Sequence, residues 1–328
     1  MPLPQFSDRP PRSDRTLWVI LYDWNDHWPA NGQTTPPNDG TDTSDPTLDT
    51  RYKPVHGYEL VSTDRHREIQ HLELLEAGVK GCLMSVWLNG DASVDGWGTL
   101  TNFKRRLEWM DRMFPGGTQY KLGMFYENTH FTASFTAAQF ATKLGEYYDS
   151  GIFHHPHFLK GLTGRPVVAG YKGTHTDPHD IWTQMTAGYA TYVAAHPTMP
   201  LELHYPIFTG WDGAPYAAER ADIIAAGHEF THYKANGNSN NPADRAAQVG
   251  GVKYTAFLSP GYWQPNQGSA QLDRDPALFD TECAALAAEG WRRVLVPWAE
   301  FFEGSPAAAT TAYPYTFGRI LGRNFTRA

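Results

Sequence analysis

The chain has only two cysteines in its 328 residues, Cys82 and Cys283. Cys82 sits in the apolar run GCLMSVW and Cys283 in the Ala-rich run TECAALAAEG. Both are expected to be buried, inert thiols rather than a disulfide pair. A chain of this length buries roughly three quarters of the surface its unfolded form exposes, so its core needs no disulfide or metal. There is also no basic run or stripe, and the formal net charge is −8. That argues against nucleic acid or an anionic membrane surface as the partner. No stretch approaches the ~20 consecutive apolar residues of a membrane span. The N-terminus, MPLPQFSDRPPRSDR, is polar and lacks the apolar core of a secretion signal. Residues 1–15 read as an extended arm. The expected protein is cytoplasmic, or secreted with its signal removed.

Several motifs are missing too. Neither GxGxxG nor GxxxxGK[ST] follows any apolar run, so a nucleotide-binding doubly wound sheet loses support. HExxH and Cys/His ligand spacings are absent, and the cluster His154, His155 and His157 reads as a hydrogen-bonded connector. No metal or other cofactor is therefore expected. There is no GxSxG elbow, and Ser259 in LSPG lacks that turn. With neither a low-complexity segment nor a clear linker, the chain reads as one domain.

What is abundant is aromatic surface, with 11 Trp, 17 Tyr and 17 Phe. Most of these rings should fill core. Several, however, sit beside Gly, Pro, Asn and His in loop-like surroundings, where their faces can serve as platforms for sugar rings. The order of apolar runs carries the fold. Short apolar runs at 17–22, 80–88, 120–126, 166–171, 201–205, 228–233, 252–258 and 293–298 read as strands. Amphipathic stretches at 64–78, 99–113, 137–148, 181–194, 217–226, 243–249, 276–289 and 315–323 read as helices. Asp64 is the expected N-cap of the first helix and Gly78 its C-terminal stop. Eight strand–helix alternations predict a single (β/α)8 barrel, with a long loop at 23–63 after strand one.

Active sites in such barrels lie at the C-terminal ends of the strands. The residues at those ends are the candidate glycan contacts: Asp23 and Trp24, Trp87, Tyr126 and Glu127, Lys172, His204 and Tyr205, Tyr233, Tyr262 and Trp263, and Trp298. His56, in the long loop, joins them as a hydroxyl-binding candidate, as do His27 and His232. Glu300 and Glu303 follow the last strand in WAEFFEG. Three residues apart on a helical turn, they would share one face. Phe301 and Phe302 between them, and Trp298 before them, would desolvate at least one carboxyl and raise its pKa toward that of a useful acid. One group to protonate a departing oxygen and one to activate a nucleophile is what glycoside cleavage requires. A solvated Glu pair opening a helix is the plain alternative.

The segment VLVPWAEFFEGSP resembles the last-strand motif of glycoside hydrolase family 99, which reads S-F-N-E-W-H-E-G. That family comprises endo-α-1,2-mannosidases and mannanases, with the WbsX-like proteins as relatives. Glu300, Glu303 and Gly304 match its two glutamates and glycine. GYELVSTDRHREIQHLELLEAGVKGCLMSVWLNG, KLGMFYEN, GRPVVAGYK and FLSPGYW resemble its other segments in order. The resemblance implies a retaining glycosidase acting on a polysaccharide or oligosaccharide. Glu300 would be the base on a sugar 2-hydroxyl that attacks C1, giving a 1,2-anhydro intermediate. Glu303 would be the acid and then the base. The chain departs from the motif at Ala299, where the family has Asn, and at Phe301-Phe302, where it has Trp-His. A non-hydrolytic glycan-binding barrel, or a protein of a polysaccharide assembly cluster, is the runner-up, followed by a lyase or metal-dependent barrel.

Overall fold

The computed structural model describes residues 16–21, 63–87, 99–127, 136–171, 177–208, 214–233, 252–260, 275–298 and 315–326. Eight parallel strands follow one another around a closed barrel in sequence order. They are β1 (Thr16–Leu21), β2 (Gly81–Trp87), β3 (Lys121–Glu127), β4 (Val167–Gly170), β5 (Glu202–Ile207), β6 (Glu229–His232), β7 (Thr255–Phe257) and β8 (Arg293–Pro297). The helices among the described residues are α1 (Asp64–Ala77), α2 (Thr99–Met113), α3 (Ala137–Asp149), α4 (Pro178–Ala195), α5 (Ala217–Ala225), α6 (Pro276–Glu289) and α7 (Thr316–Leu321). The expected (β/α)8 barrel is thus the observed fold. The helix expected at 243–249 lies outside the described residues. Among those residues, no helix is long and apolar enough to cross a membrane.

The chain divides into two compact units. The first holds residues 1–81, 234–245 and 255–328. In it β8 pairs with both β1 and β7. β1 and β8 are buried on both faces, as barrel strands covered by helices are. α1 ends as expected at Gly78 (φ 74°), with Val79 N–H donating to the Leu74 carbonyl and Gly78 N–H to that of Leu75. Its start differs by one residue. Asp64 is already helical, and its carboxylate accepts from the Arg67 guanidinium at 2.9 Å. Asp275 caps α6 through the Ala277 N–H, with Pro276 at the first helical position.

The second unit holds residues 82–233 and 246–254. Here β3, β4, β5 and β6 pair in succession. A Thr136–Gln139 capping box starts α3, and Asp177 caps α4. The two helices meet at Gly188, where a Cβ would come within 2.6 Å of the Ala137 carbonyl oxygen. Both cysteines are buried thiols outside any disulfide, as expected, and burial raises the Cys283 thiol well above its ordinary range.

Candidate active site

Side chains alternate along a strand, so only every second residue of a barrel strand faces the interior. On β3 the interior set is Phe125 and Glu127. Four rings meet there: Phe125, Tyr171 just after β4, Phe208 just after β5 and Tyr233 just after β6. Phe208 stacks on Tyr233 with centroids 5.4 Å apart, and Tyr171 meets Tyr233 edge-on at 5.3 Å. Phe125 reaches Tyr233 at 6.3 Å across the two intervening strands, a contact that only interior side chains can make. Phe125, Phe208 and Tyr233 are buried, whereas Tyr171 and Glu127 are partly exposed. The C-terminal ends of β3 to β6 therefore present a carboxylate and a phenol on an aromatic floor.

Glu127 is oriented from β2, where the buried Ser85 hydroxyl donates to its Oε2. Burial raises the Tyr233 phenol well above its ordinary range, with the charges of Tyr171 and Glu127 adding to the effect. It stays a neutral hydroxyl at any working pH.

The other expected contacts divide three ways. Tyr126, Tyr205 and Trp298 face helices. Tyr126 is fully buried edge-on against Phe140 of α3, 5.0 Å between centroids. The Tyr205 hydroxyl pairs with Thr186 of α4 at 3.1 Å. Trp298 is buried with its ring 3.5 Å from the Cβ position of Gly318 in α7. These three belong to strand-on-helix packing, which corrects their assignment to the rim. His204 faces inward but lies deep in β5, fully buried and 3.1 Å from Glu202 Oε1. His232 is buried and its imidazole is held down to about 4, first by desolvation and then by Arg220. Trp87 closes β2, and only its backbone is described. Asp23, Trp24, His27, His56, Lys172, Tyr262, Trp263, Glu300 and Glu303 lie outside the described residues. The connector expected at the histidine cluster is present, with Asp111 accepting from His155 at 3.0 Å and lying 3.4 Å from His157.

Neither protein-family profiles nor curated proteins give a match to this sequence. Solved structures do. A protein described as glycoside hydrolase-like matches over 100% of this chain and 97% of its own, at 14% identity and a TM-score of 0.63. The family 99 endo-alpha-mannosidase from Bacteroides thetaiotaomicron, in complex with bis-tris-propane, matches over 98% of this chain and 96% of its own, at 16% identity and a TM-score of 0.65. A second structure of a family 99 endo-alpha-mannosidase from that organism gives 15% identity and a TM-score of 0.62 over the same shares. At these identities the likeness establishes a common fold along the whole chain.

Proposed function

We propose that this protein is a glycoside hydrolase acting on an oligosaccharide or polysaccharide, with Glu300 and Glu303 as its catalytic carboxylates. One observation carries the proposal. The chain shares its fold from end to end with family 99 endo-alpha-mannosidase structures, and in its sequence the only E-x-x-E-G segment follows β8, which ends at Pro297. Chemistry in this fold is done at the C-terminal ends of strands. The aromatic floor and Glu127 at the ends of β3 to β6 are chemically suited to the same work, because rings pack on apolar sugar faces and a carboxylate accepts from hydroxyls.

The mechanism follows from the pair. Glu300 removes the proton of the sugar 2-hydroxyl, whose oxygen attacks C1. Glu303 meanwhile protonates the departing glycosidic oxygen. Water, deprotonated by Glu303, then opens the three-membered ring at C1, and the proton held by Glu300 returns to the 2-oxygen. Two inversions at C1 give overall retention, as in other substrate-assisted glycosidases. Ala299, Phe301 and Phe302 in place of Asn, Trp and His favour a substrate other than the family's mannoside, and they motivate the second reading, a glycan-binding barrel without cleavage. Glu300→Gln and Glu303→Gln separate the two readings. Under the first, each abolishes release of oligosaccharides that the wild type produces. Under the second, wild type and variants alike bind glycan and release nothing.

A further inference from the structure

Near the N-terminal starts of β5 and β6 three ionisable side chains converge. Glu202 and His204 alternate along β5, and the strand register sets His204 opposite Glu229. All three therefore point to one side. His204 Nε2 lies 3.1 Å from Glu202 Oε1 and 3.9 Å from Glu229 Oε2, and one donor atom from each residue fits within 4.8 Å of the others. The side chains are buried, with relative exposures of 0%, 0% and 6% for Glu202, His204 and Glu229.

Two features fix the orientation of the Glu202 carboxylate. Its Oε2 accepts from the Thr163 N–H at 2.9 Å and from the Thr163 hydroxyl at 2.6 Å. That leaves Oε1 directed at the imidazole. The backbone opposite is glycine: a Cβ on Gly161 would overlap Oε1, so only Gly161 leaves room for the carboxylate. A ligating carboxylate held through its other oxygen by outer hydrogen-bond donors is the usual construction of a metal site. The imidazole nitrogen adds a second argument. Nε2 carries at most one proton, which can serve the oxygen at 3.1 Å but not one at 3.9 Å. A cation seated among the three would engage both oxygens and the nitrogen lone pair together. The two separations bracket the edge of about 3.3–3.6 Å that bonds of about 2.0–2.2 Å give in a tetrahedron.

We propose that Glu202, His204 and Glu229 form a binding site for a divalent transition-metal ion, and that Zn2+ is the ion that fits it. An imidazole beside two carboxylates suits zinc, whereas Mg2+ prefers oxygen ligands and keeps its waters. The site lies at the end of the strands away from their C-terminal tips, where residues of this fold serve stability. Through Thr163 the ion would fasten the loop at 161–165 to β5. This inference is independent of the glycosidase assignment, and its test does not involve glycan.

The test uses the full chain, stripped with a chelator and returned to chelator-free buffer. Zn2+ and Mg2+ are titrated separately by calorimetry, with thermal melting in parallel. The expected result is one Zn2+ per chain, a raised Tm, and no response to Mg2+. Glu229→Gln and His204→Gln should each weaken zinc binding by more than tenfold, and Thr163→Val by about tenfold. The near-isosteric Glu229→Gln keeps the test decisive should His204→Gln fail to fold. Exposed imidazoles such as His179 can also take up zinc. Binding that survives both Glu229→Gln and His204→Gln would therefore place the ion on the surface and overturn the proposal. So would the lack of zinc binding, or of a Tm response, in the wild type.

Discussion

Glu127 closes β3 with a partly exposed carboxylate that Ser85 grips from β2. A hydrogen bond to a charged group is worth about 1.5–3 kcal/mol, or roughly ten- to a hundredfold in binding. If Glu127 accepts from sugar hydroxyls equally in ground and transition states, Glu127→Gln raises KM about tenfold or more and leaves kcat near wild type. Ser85→Ala, which frees the carboxylate without removing it, raises KM by less. Steady-state kinetics on the cleaved glycan measures both. A fall in kcat with KM unchanged would move Glu127 from binding into chemistry.

His232 makes a pH prediction. Its folded pKa, about 4, lies below the ordinary 6.5 because burial and then Arg220 disfavour the charged ring. The unfolded chain therefore binds more protons between these values. The stability that His232 contributes is complete above about 6.5 and is lost as pH falls toward about 4. Denaturant unfolding at steps across this window should show declining stability, and His232→Asn should flatten that decline. An unchanged slope in the variant would contradict the assignment.

Among the described strand tips, Glu127 of β3 and Tyr233 after β6 were legible; which way the neighbouring side chains face was less so. Tyr126 precedes the last residue of β3, so alternation turns it toward α3 and gives the interior to Glu127. β5 runs on to Ile207, which leaves His204 and Tyr205 mid-strand instead of at its tip. That extra length also brings Phe208 to the tip, a ring the sequence does not single out. A period-2 count along each strand would have found Ser85 and Phe208. The buried Glu202 has a signal of its own, a carboxylate between apolar residues in LELHY.

At the scale of the element, α3 shows how local sequence sets a boundary. Thr136 accepts from the Gln139 N–H, and the Gln139 side chain returns the bond to the Thr136 N–H. Thr136→Ala removes half of that box, and a loss of about 1 kcal/mol is expected in urea unfolding. A change within error would mean that packing of α3 on α4 alone holds the helix end. Helices α2 and α6 keep the bounds read from the sequence, and in α6 the reason is local chemistry, with Asp275 as cap, Pro276 at the first position and Gly290 at the stop. β7 is four residues shorter than its apolar run, since an apolar run marks burial and not the length of the hydrogen-bonded ladder.

For the whole molecule, the barrel followed from counting eight alternations, and the closed order of strands agrees with it. The chemistry was less legible, because no single motif identifies a retaining glycosidase. The assignment depends on where Glu300 and Glu303 fall after β8 and on a shared fold at 14–16% identity. The most direct measurement is product release from a panel of α-linked mannosides and other polysaccharides, with wild type, Glu300→Gln and Glu303→Gln side by side and anomeric configuration followed by NMR. The account predicts oligosaccharide release with retention by the wild type, reduced by at least about 10²–10⁴-fold in each variant. Cleavage at wild-type rate by both variants would contradict it.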